Sequence, residues 1–377
     1  MSKRILVTGG AGFIGSHLVD KLIDELGLEV TVFDILEEQV HGKNKKPPDY
    51  LNSNAHFIQG SVTNYEKLKE LVLNHDVVFH LAAMVGVGQS MYQIQKYIEH
   101  NILGTSNLLD IIANCEHNIK KLVIASSNTV YGEGKSKCSK CGVIFPKLRT
   151  FKQLKNKDWE IHCPKCSSKV KPLLTDEETP FNSSSIYALT KQAQEQTGLL
   201  IGDTYGIDTT VLRFFLVYGP RQALSNPYTG VCSIFSSRLF NNKPPIIFED
   251  GLQSRDFVNV KDVCQALTLS MNKIEANGEI FNVASGEPIT INEVANIITK
   301  KINPNLKPIY SKEYRIGDIR HCLADISKIK TKLGYTPTVS FKKGINDVIE
   351  WIKPQIGTIT DDSQKAINEL KEKGLLR

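Results

Sequence analysis

Tyr187 and Lys191 stand four positions apart in the stretch Tyr-Ala-Leu-Thr-Lys. On a helix that spacing puts a phenol and an ammonium one turn apart on the same face. Sixty positions upstream of the tyrosine, Ala125-Ser126-Ser127 supplies hydroxyls. Near the start of the sequence, Gly9-Gly10-Ala11-Gly12-Phe13-Ile14-Gly15 places glycines at 9, 12 and 15. A phenol titrates near ~10, so acting as a base at neutral pH requires several units of stabilisation, each about 1.4 kcal/mol. A cation a few ångströms away is the simplest source, and Lys191 is spaced to provide it. The expected chemistry is oxidation of an alcohol. Tyr187 takes the hydroxyl proton, Ser127 hydrogen-bonds the reacting oxygen, and hydride leaves the same carbon for a nicotinamide.

The glycine loop has the context such a cofactor needs. It follows a strand-like Lys3–Thr8 and opens a helical Phe13–Leu26 with Ile14, Leu18, Leu22 and Leu26 on one face. Glycine lets the backbone approach a pyrophosphate, and a helix N-terminus offers free N–H groups and a positive dipole end. Asp34 ends the next strand, Glu29–Asp34, where its carboxylate can accept from both hydroxyls of the adenosine ribose. The same carboxylate repels a 2′-phosphate, and Ile35-Leu36-Glu37 brings no arginine to neutralise one. NAD is therefore favoured over NADP.

The elements that must hold these groups follow an alternating pattern. Short apolar runs at His56–Gln59, Val77–Ala82, Leu122–Ser126 and Thr209–Tyr218 are separated by helix-like segments. Unbroken apolar strands suit a sheet buried on both faces, so the expected class is α/β, a Rossmann-type doubly wound parallel sheet. Beyond Gly219 the pattern loosens, with loops at Asn226-Pro227-Tyr228 and Asp250-Gly251. Helical segments at Ile291–Ile302, Ile326–Leu333 and Ile345–Ile352 predict a smaller α/β substrate lobe. Asp361–Arg377 reads as an exposed helix or frayed tail. With 377 residues the chain exceeds what one core of ~250–300 residues holds. The expected division is 1–134 with 173–219 for the dinucleotide, 135–172 as an insert, and 220–377 mainly for substrate. No apolar run approaches the ~20 residues a bilayer span needs. Met1-Ser2-Lys3-Arg4 leads straight into a strand, so a cytoplasmic protein without a membrane partner is expected.

These motifs resemble an extended short-chain dehydrogenase/reductase of the nucleotide-sugar epimerase and dehydratase group. The likeness rests on the glycine loop, His80-Leu81-Ala82-Ala83, Asn101 with Gly104-Thr105, Ser126-Ser127, Tyr187 with Lys191, and Leu212-Arg213-Phe214-Phe215. It continues through Tyr218-Gly219-Pro220-Arg221-Gln222, Arg255-Asp256-Phe257-Val258 and Arg315-x-Gly317-Asp318. By resemblance, Ser127, Tyr187 and Lys191 are catalytic. NAD would lie against Gly9, Gly12, Phe13, Ile14, Gly15, Asp34, Ser61, Val62, Leu81, Ala82, Ala83, Asn101, Tyr187, Lys191 and Phe214. A nucleoside-diphosphate sugar would meet Thr129, Arg255, Arg315 and Asp318, the guanidinium groups holding the diphosphate. The resemblance also implies a homodimer. Two positions depart from the pattern: Leu216 replaces an Asn that touches the sugar nucleotide, and Ser61 replaces an Asp that meets the adenine.

Which reaction follows oxidation depends on the residues after Ser127. The dehydratases resembling this chain place Asp-Glu there, because eliminating water needs an acid and a base, and the decarboxylases carry a Glu. Here the segment is Asn128-Thr129-Val130-Tyr131, without a carboxylate. That favours oxidation at C4, rotation of the 4-keto sugar and hydride return to its other face, a 4-epimerase. A UDP-hexose 4-epimerase, a 4,6-dehydratase and a 4-reductase are the alternatives.

Sixty positions between Ser127 and Tyr187 exceed what the resemblance implies, and the excess holds Cys138-Ser-Lys-Cys141 and Cys163-Pro-Lys-Cys166. Two C-x-x-C knuckles with twenty-one residues between them match a tetrahedral four-thiolate zinc site, with iron or a redox pair as alternatives. Four sulfurs leave no open position for substrate, so such a metal would be structural. His162 is spare, and Cys115, Cys232, Cys264 and Cys322 read as buried small hydrophobes. Lys135 to Lys171 carries eleven Lys or Arg against Asp158 and Glu160, a net +9 in a chain whose total is +6. Basic zinc ribbons bind nucleic acid, so a non-catalytic nucleic-acid or scaffold module is the rival class. The complete Ser127, Tyr187 and Lys191 set, and the few aromatics near the lysines (Phe145, Phe151, Trp159), weigh against it. The insert, with Gln39-Val40-His41 and Val85-Gly86-Val87-Gly88-Gln89-Ser90-Met91-Tyr92, also resembles bacterial epimerases of dTDP-L-rhamnose. That makes a dTDP-6-deoxyhexose the first expected substrate. Springing from the loop beside Thr129, the insert has two readings, a cap over the sugar pocket or a surface for a partner.

Overall fold

The computed structural model describes residues 3–224, 230–356 and 363–377. The turn expected at Asn226-Pro227-Tyr228 lies outside them. Seven apolar runs form strands β1 (Arg4–Thr8), β2 (Glu29–Asp34), β3 (His56–Gln59), β4 (Val77–His80), β5 (Lys121–Ser127), β6 (Asp208–Phe214) and β7 (Glu279–Val283). They join in the order β7-β6-β5-β4-β1-β2-β3, and every pair is parallel. Successive side chains point to opposite faces, so both faces must be covered. Ile5, Val7, Phe79, Val123 and Leu212 enter one core, while Leu6, Val78, Leu122, Ile124 and Val211 enter the other. Helices α1 (Phe13–Asp20) and α5 (Val260–Asn272) cover the first face. Helices α2 (Tyr65–Leu73), α3 (Gly104–Asn114) and α4 (Ile186–Tyr205) cover the second. The strand order reverses between β1 and β4, and a crevice opens there beyond the carboxyl ends of the strands, the usual place for a ligand in such sheets.

Two expected elements break in informative places. The helix expected to run to Leu26 is α-helical only to Asp20 and continues as a π-turn over Lys21–Glu25. The strand expected over Thr209–Tyr218 splits at Phe215, whose amide bonds the Val283 carbonyl. After that point Leu216–Tyr218 leaves the main sheet and pairs with Ser254–Asn259. Pro288–Thr290 and His321–Cys322 complete this second sheet. Phe235, Leu239, Val294, Ile298, Ile345 and Val348 form its core with the helices Val231–Phe240, Ile291–Ile302 and Phe341–Ile352.

The segment with the paired cysteines forms a three-stranded antiparallel sheet from Ser136–Cys138, Gly142–Ile144 and Lys171–Pro172. Its own core is limited to Ile144, Ile161 and Val170 around the sulfurs. A unit of fewer than ~40 residues does not usually stand on such a core without a metal, a disulfide or a partner surface. The last helix, Ser363–Glu372, corrects the expectation of an exposed tail. Its stripe of Ala366, Ile367 and Leu370 is buried, Ile367 and Leu370 among Tyr92, Ile246 and Phe248. Tyr314 and Arg377 exchange backbone hydrogen bonds of 2.8 and 3.1 Å, fastening the end of the segment. Among the described residues no helix is long and apolar enough to cross a membrane.

Candidate active site

A cavity of about 680 Å³ occupies the crevice between the two sheets. Its wall brings together Gly9, Gly12, Phe13, Ile14, Gly15, Asp34, Ser61, Val62, Leu81, Ala82, Ala83 and Phe214. Ser127, Thr129, Tyr187, Lys191, Arg255, Arg315 and Asp318 share the same wall. A shallow hollow of about 920 Å³ at the opposite ends of the strands, beside Arg4, Asp76, Lys121 and Asp208, contains none of this set. Asn101 is the exception among the expected residues. Its side chain accepts from the Met84 amide at 2.7 Å and donates to Met84 O at 3.1 Å and Thr190 Oγ1 at 2.9 Å, shaping the loop after β4 from behind.

At the dinucleotide end, Gly9 has φ +72°, and a Cβ there would lie 2.8 Å from the Ala82 amide nitrogen. A Cβ on Gly15 would overlap the Gly9 carbonyl oxygen. The backbone is therefore as close-fitting as the glycines imply. Gly12 caps α1 with no side chain in the way, leaving the amide end of the helix open to the cavity. That arrangement fits a pyrophosphate. Asp34 accepts from the Ala11 and Leu36 amides at 3.0 and 2.9 Å, with His41 Nε2 4.0 Å away. Burial pushes its carboxyl pKa up, opposed by those amides and by His41. Ser61 Oγ is 2.8 Å from Thr63 Oγ1.

Ser185 caps α4 by accepting from the Ala188 amide at 3.1 Å, which sets the helical phase of Tyr187 and Lys191. Ser90 Oγ accepts from the Tyr187 amide at 3.0 Å, and the ring of Tyr97 meets the Tyr187 ring edge-on at 6.4 Å. Burial pushes the Tyr187 phenol up to about 12, with the Ser127 hydrogen bond pulling the other way. Lys191 Nζ donates to Ala125 O at 2.8 Å, and burial draws its pKa down to about 7. Both groups lie deep in a low-dielectric wall, and burial favours the neutral form of each. Thr129 Oγ1 donates to Ser127 Oγ at 3.0 Å.

Behind the serines lies a network that spacing alone does not reveal. Ser126 Oγ donates to Glu195 at 3.0 Å, Glu195 takes both Nε and Nη2 of Arg213, and Arg213 donates to Tyr131 Oη at 2.7 Å. A buried ion pair tied on every side fixes β5 against α4 and β6. The sequence carries these residues inside recognisable motifs but gives no sign that they meet.

On the cavity wall formed by the second sheet, Arg255 donates to the carbonyls of Ser254, Ile319 and Arg320 at 2.9, 2.5 and 2.9 Å, and lies 3.6 Å from Asp318. Arg315 stacks over Phe248 at 4.7 Å and keeps a buried Nε without a hydrogen-bond partner. Of the two arginines, Arg315 thus has donors left for an anion. The last helix adds Ala366, Ile367 and Leu370 to an apolar wall with Ile246, Ile247 and Phe248. Only the i, i+1, i+4 apolar spacing in an otherwise charged segment hinted at it. No residue from Lys135 to Lys171 lines the cavity, which weighs against the reading of the insert as a cap.

Cys138, Cys141, Cys163 and Cys166 bring four Sγ atoms within 4.8 Å of one another. Zn–S bonds of ~2.3 Å in a tetrahedron require sulfurs about 3.8 Å apart, so the cluster fits a four-thiolate ion. His162 is turned to Asp158 at 3.0 Å and is not part of it.

Comparison with known proteins agrees with this geometry. The model of the NAD dependent epimerase/dehydratase family matches residues 5–147, and that of GDP-mannose 4,6 dehydratase matches 168–348. A dTDP-L-rhamnose 4-epimerase of Burkholderia thailandensis is 31% identical over 94% of this chain and 96% of its own. A UDP-N-acetyl-alpha-D-glucosaminuronate decarboxylase of Bacillus cytotoxicus is also 31% identical, over 94% and 98%. The crystal structure of a UDP-glucuronic acid 4-epimerase from Bacillus cereus, in complex with UDP-glucuronic acid and NAD, superposes with a TM-score of 0.76. It shares 28% identity and the match covers 93% of this chain and 99% of that one. With the glycine cradle, the buried tyrosine and lysine and matches running through both lobes, the chain belongs to the NAD-dependent epimerase/dehydratase family of nucleotide-sugar enzymes.

Proposed function

We propose that this protein interconverts the C4 epimers of a nucleotide sugar, with a 6-deoxyhexose on dTDP as first substrate and a UDP-hexose as second. The observation that carries the reading is the chemistry of the wall around Ser127 and Tyr187. Asn128 and Thr129 follow the serine, and the carboxylates on the cavity wall among the described residues are Asp34, Glu37 and Asp318. Asp34 ends β2, Glu37 lies three residues beyond it and pairs with Lys96, and Asp318 faces Arg255. Elimination of water or loss of CO2 would need an acid or base beside C5 and C6, whereas epimerisation needs one proton carrier at the C4 oxygen.

Tyr187 Oη is that carrier: it takes the C4 hydroxyl proton and returns it after the 4-keto sugar has presented its other face. Ser127 Oγ holds the same oxygen, with Thr129 hydrogen-bonded behind it. NAD, held by Gly9–Gly15, Asp34, Ser61, Val62 and Leu81–Ala83, would supply the hydride acceptor and donor. Lys191, one turn along α4, is the group that lowers the phenol once the site is loaded, because its own pKa near about 7 lets it become a cation at little cost. Arg315 and Arg255 take the diphosphate, and Arg315 has the open donor. The four cysteines hold one structural zinc. Exposed Leu189 and Leu200 on α4, with Ile98 and Leu103 leading into α3, form the face through which two copies pair.

The deciding experiment incubates the purified protein with dTDP-L-rhamnose, UDP-glucose and UDP-glucuronic acid and follows the sugar by NMR. A mixture of C4 epimers without added NAD is expected. Accumulation of a 4-keto-6-deoxy sugar or release of CO2 would sink the proposal.

A further inference from the structure

The basic insert does not reach the cavity, yet it is bolted to two of the cavity's walls. Arg149 is the main bolt. Its Nη1 donates to Glu249 at 2.8 Å and to Trp159 O at 3.1 Å, and Nη2 donates to Asp318 O at 3.0 Å. Its Nε lies 3.7 Å from Glu133. From the same insert, Glu160 accepts from Arg320 at 2.6 and 3.1 Å, and Arg320 also pairs with Glu249 and Asp250. Trp159 packs on Tyr314 with ring centroids 6.1 Å apart. Phe151 lies under the guanidinium of Arg377 at 4.5 Å, and Tyr314 and Arg377 are the residues that exchange backbone hydrogen bonds. Besides Glu133 at its root and Glu249 in the neighbouring lobe, the insert reaches two segments. One is the loop from Tyr314 to Arg320, which carries Arg315 and Asp318. The other is Arg377, which follows the last helix; Leu375 and Leu376 tie that stretch back to Leu370 O, and Ala366, Ile367 and Leu370 of the helix close the apolar wall.

We propose that the four-cysteine insert is a clamp that fixes the Arg315 loop and the last helix for nucleoside-diphosphate binding, with Arg149 and Phe151 as its positioning residues. The inference rests on the reading of Arg315 as a diphosphate ligand. The loop lacks support of its own: apart from a single bridge between Arg315 and Leu376 it has no regular structure until His321. The buried Arg149 and Arg320 face four carboxylates, Glu133, Glu160, Glu249 and Asp250, contributed by the insert, its root and the substrate lobe. The Arg149 side chain, itself part of the insert, reaches Glu133 at the root and Glu249 in the lobe at once, because a guanidinium presents several donors in one rigid plane and an ammonium does not. The insert thereby acts on the substrate through positions it never shares with it.

The test titrates dTDP and UDP into the purified full-length holoenzyme by calorimetry, with NAD content measured in each variant. Arg315→Ala serves as reference. Arg149→Gln is expected to weaken the tighter nucleotide at least tenfold while retaining NAD, and to raise KM more than it lowers kcat. Arg149→Lys, which preserves the charge, is expected to restore little of the loss. Phe151→Ala alters a half-exposed ring and leaves the buried charges intact. It is expected to speed hydrogen exchange in 313–320 and 363–377 while 121–127 stays as in the wild type, and this decides the matter if Arg149→Gln fails to fold. Wild-type affinity in Arg149→Gln beside a weakened Arg315→Ala overturns the clamp, as does unchanged exchange in Phe151→Ala. Wild-type affinity in Arg315→Ala overturns it by a different route, removing the diphosphate assignment beneath it.

Discussion

Lys191→Met should make the dinucleotide-free protein more stable while abolishing its activity. Lys191 is fully enclosed, and burial brings its pKa from the ordinary 10.5 to about 7. The unfolded chain therefore binds more protons than the folded one between those values, and stability rises with pH across that window. At pH 7 the difference corresponds to about 4 kcal/mol of destabilisation carried by the lysine. Methionine has similar length and no charge to desolvate. It loses the hydrogen bond to Ala125 O, worth about 1 kcal/mol, which leaves a net gain of about 3 kcal/mol at pH 7. Urea unfolding of both proteins, stripped of NAD, measures the gap directly. The advantage of the variant should shrink by about 1.4 kcal/mol per pH unit between pH 8 and 10 as the wild type recovers. Below pH 10 the Tyr187 phenol, with its pKa raised to about 12, stays protonated in both and does not disturb the comparison. A variant less stable than the wild type at pH 7, or a gap that does not move with pH, would refute the electrostatic picture of this wall.

Tyr187→Phe removes the proton carrier and should lower kcat by about 10²–10⁴-fold, with NAD still bound after purification; unchanged turnover would exclude the tyrosine from the chemistry. Gly15→Ala drives a methyl group into the Gly9 carbonyl, and overpacking of this kind costs about 1–3 kcal/mol. The expected readout is NAD content at least several-fold below the wild type, measured by absorbance after gel filtration. Metal analysis of the purified protein should find about one zinc per chain for the four-thiolate cluster. Cys141→Ser should lower that content and unfold the insert locally; a zinc-free protein with an intact insert by NMR would defeat the metal proposal.

Much of this molecule was legible in the order of its residues. Short unbroken apolar runs bounded by glycine-rich and polar turns, alternating with helical patterns, suit strands of a parallel sheet, so the sheet was legible from local pattern. The glycines at 9, 12 and 15, Asp34, and the four-residue spacing of Tyr187 and Lys191 are likewise local, because one loop, one strand end and one helical turn carry them. The paired cysteines announced their cluster by spacing. What spacing could not convey was the company those groups keep. Whether Lys191 is an exposed cation or a half-neutral amine depends on the β5 carbonyl and the depth of the wall, which arise only when β5, β6 and α4 pack. Arg149 and Glu160 of the insert are 100 and 160 positions from their partners Glu249 and Arg320 and meet them only through the docking of the insert on the smaller lobe. The final helix looked like a charged tail because its three-residue apolar stripe is too short to signal burial by itself. Local rules govern backbone conformation, whereas protonation, ion pairing and burial are set by neighbours that only the assembled fold supplies.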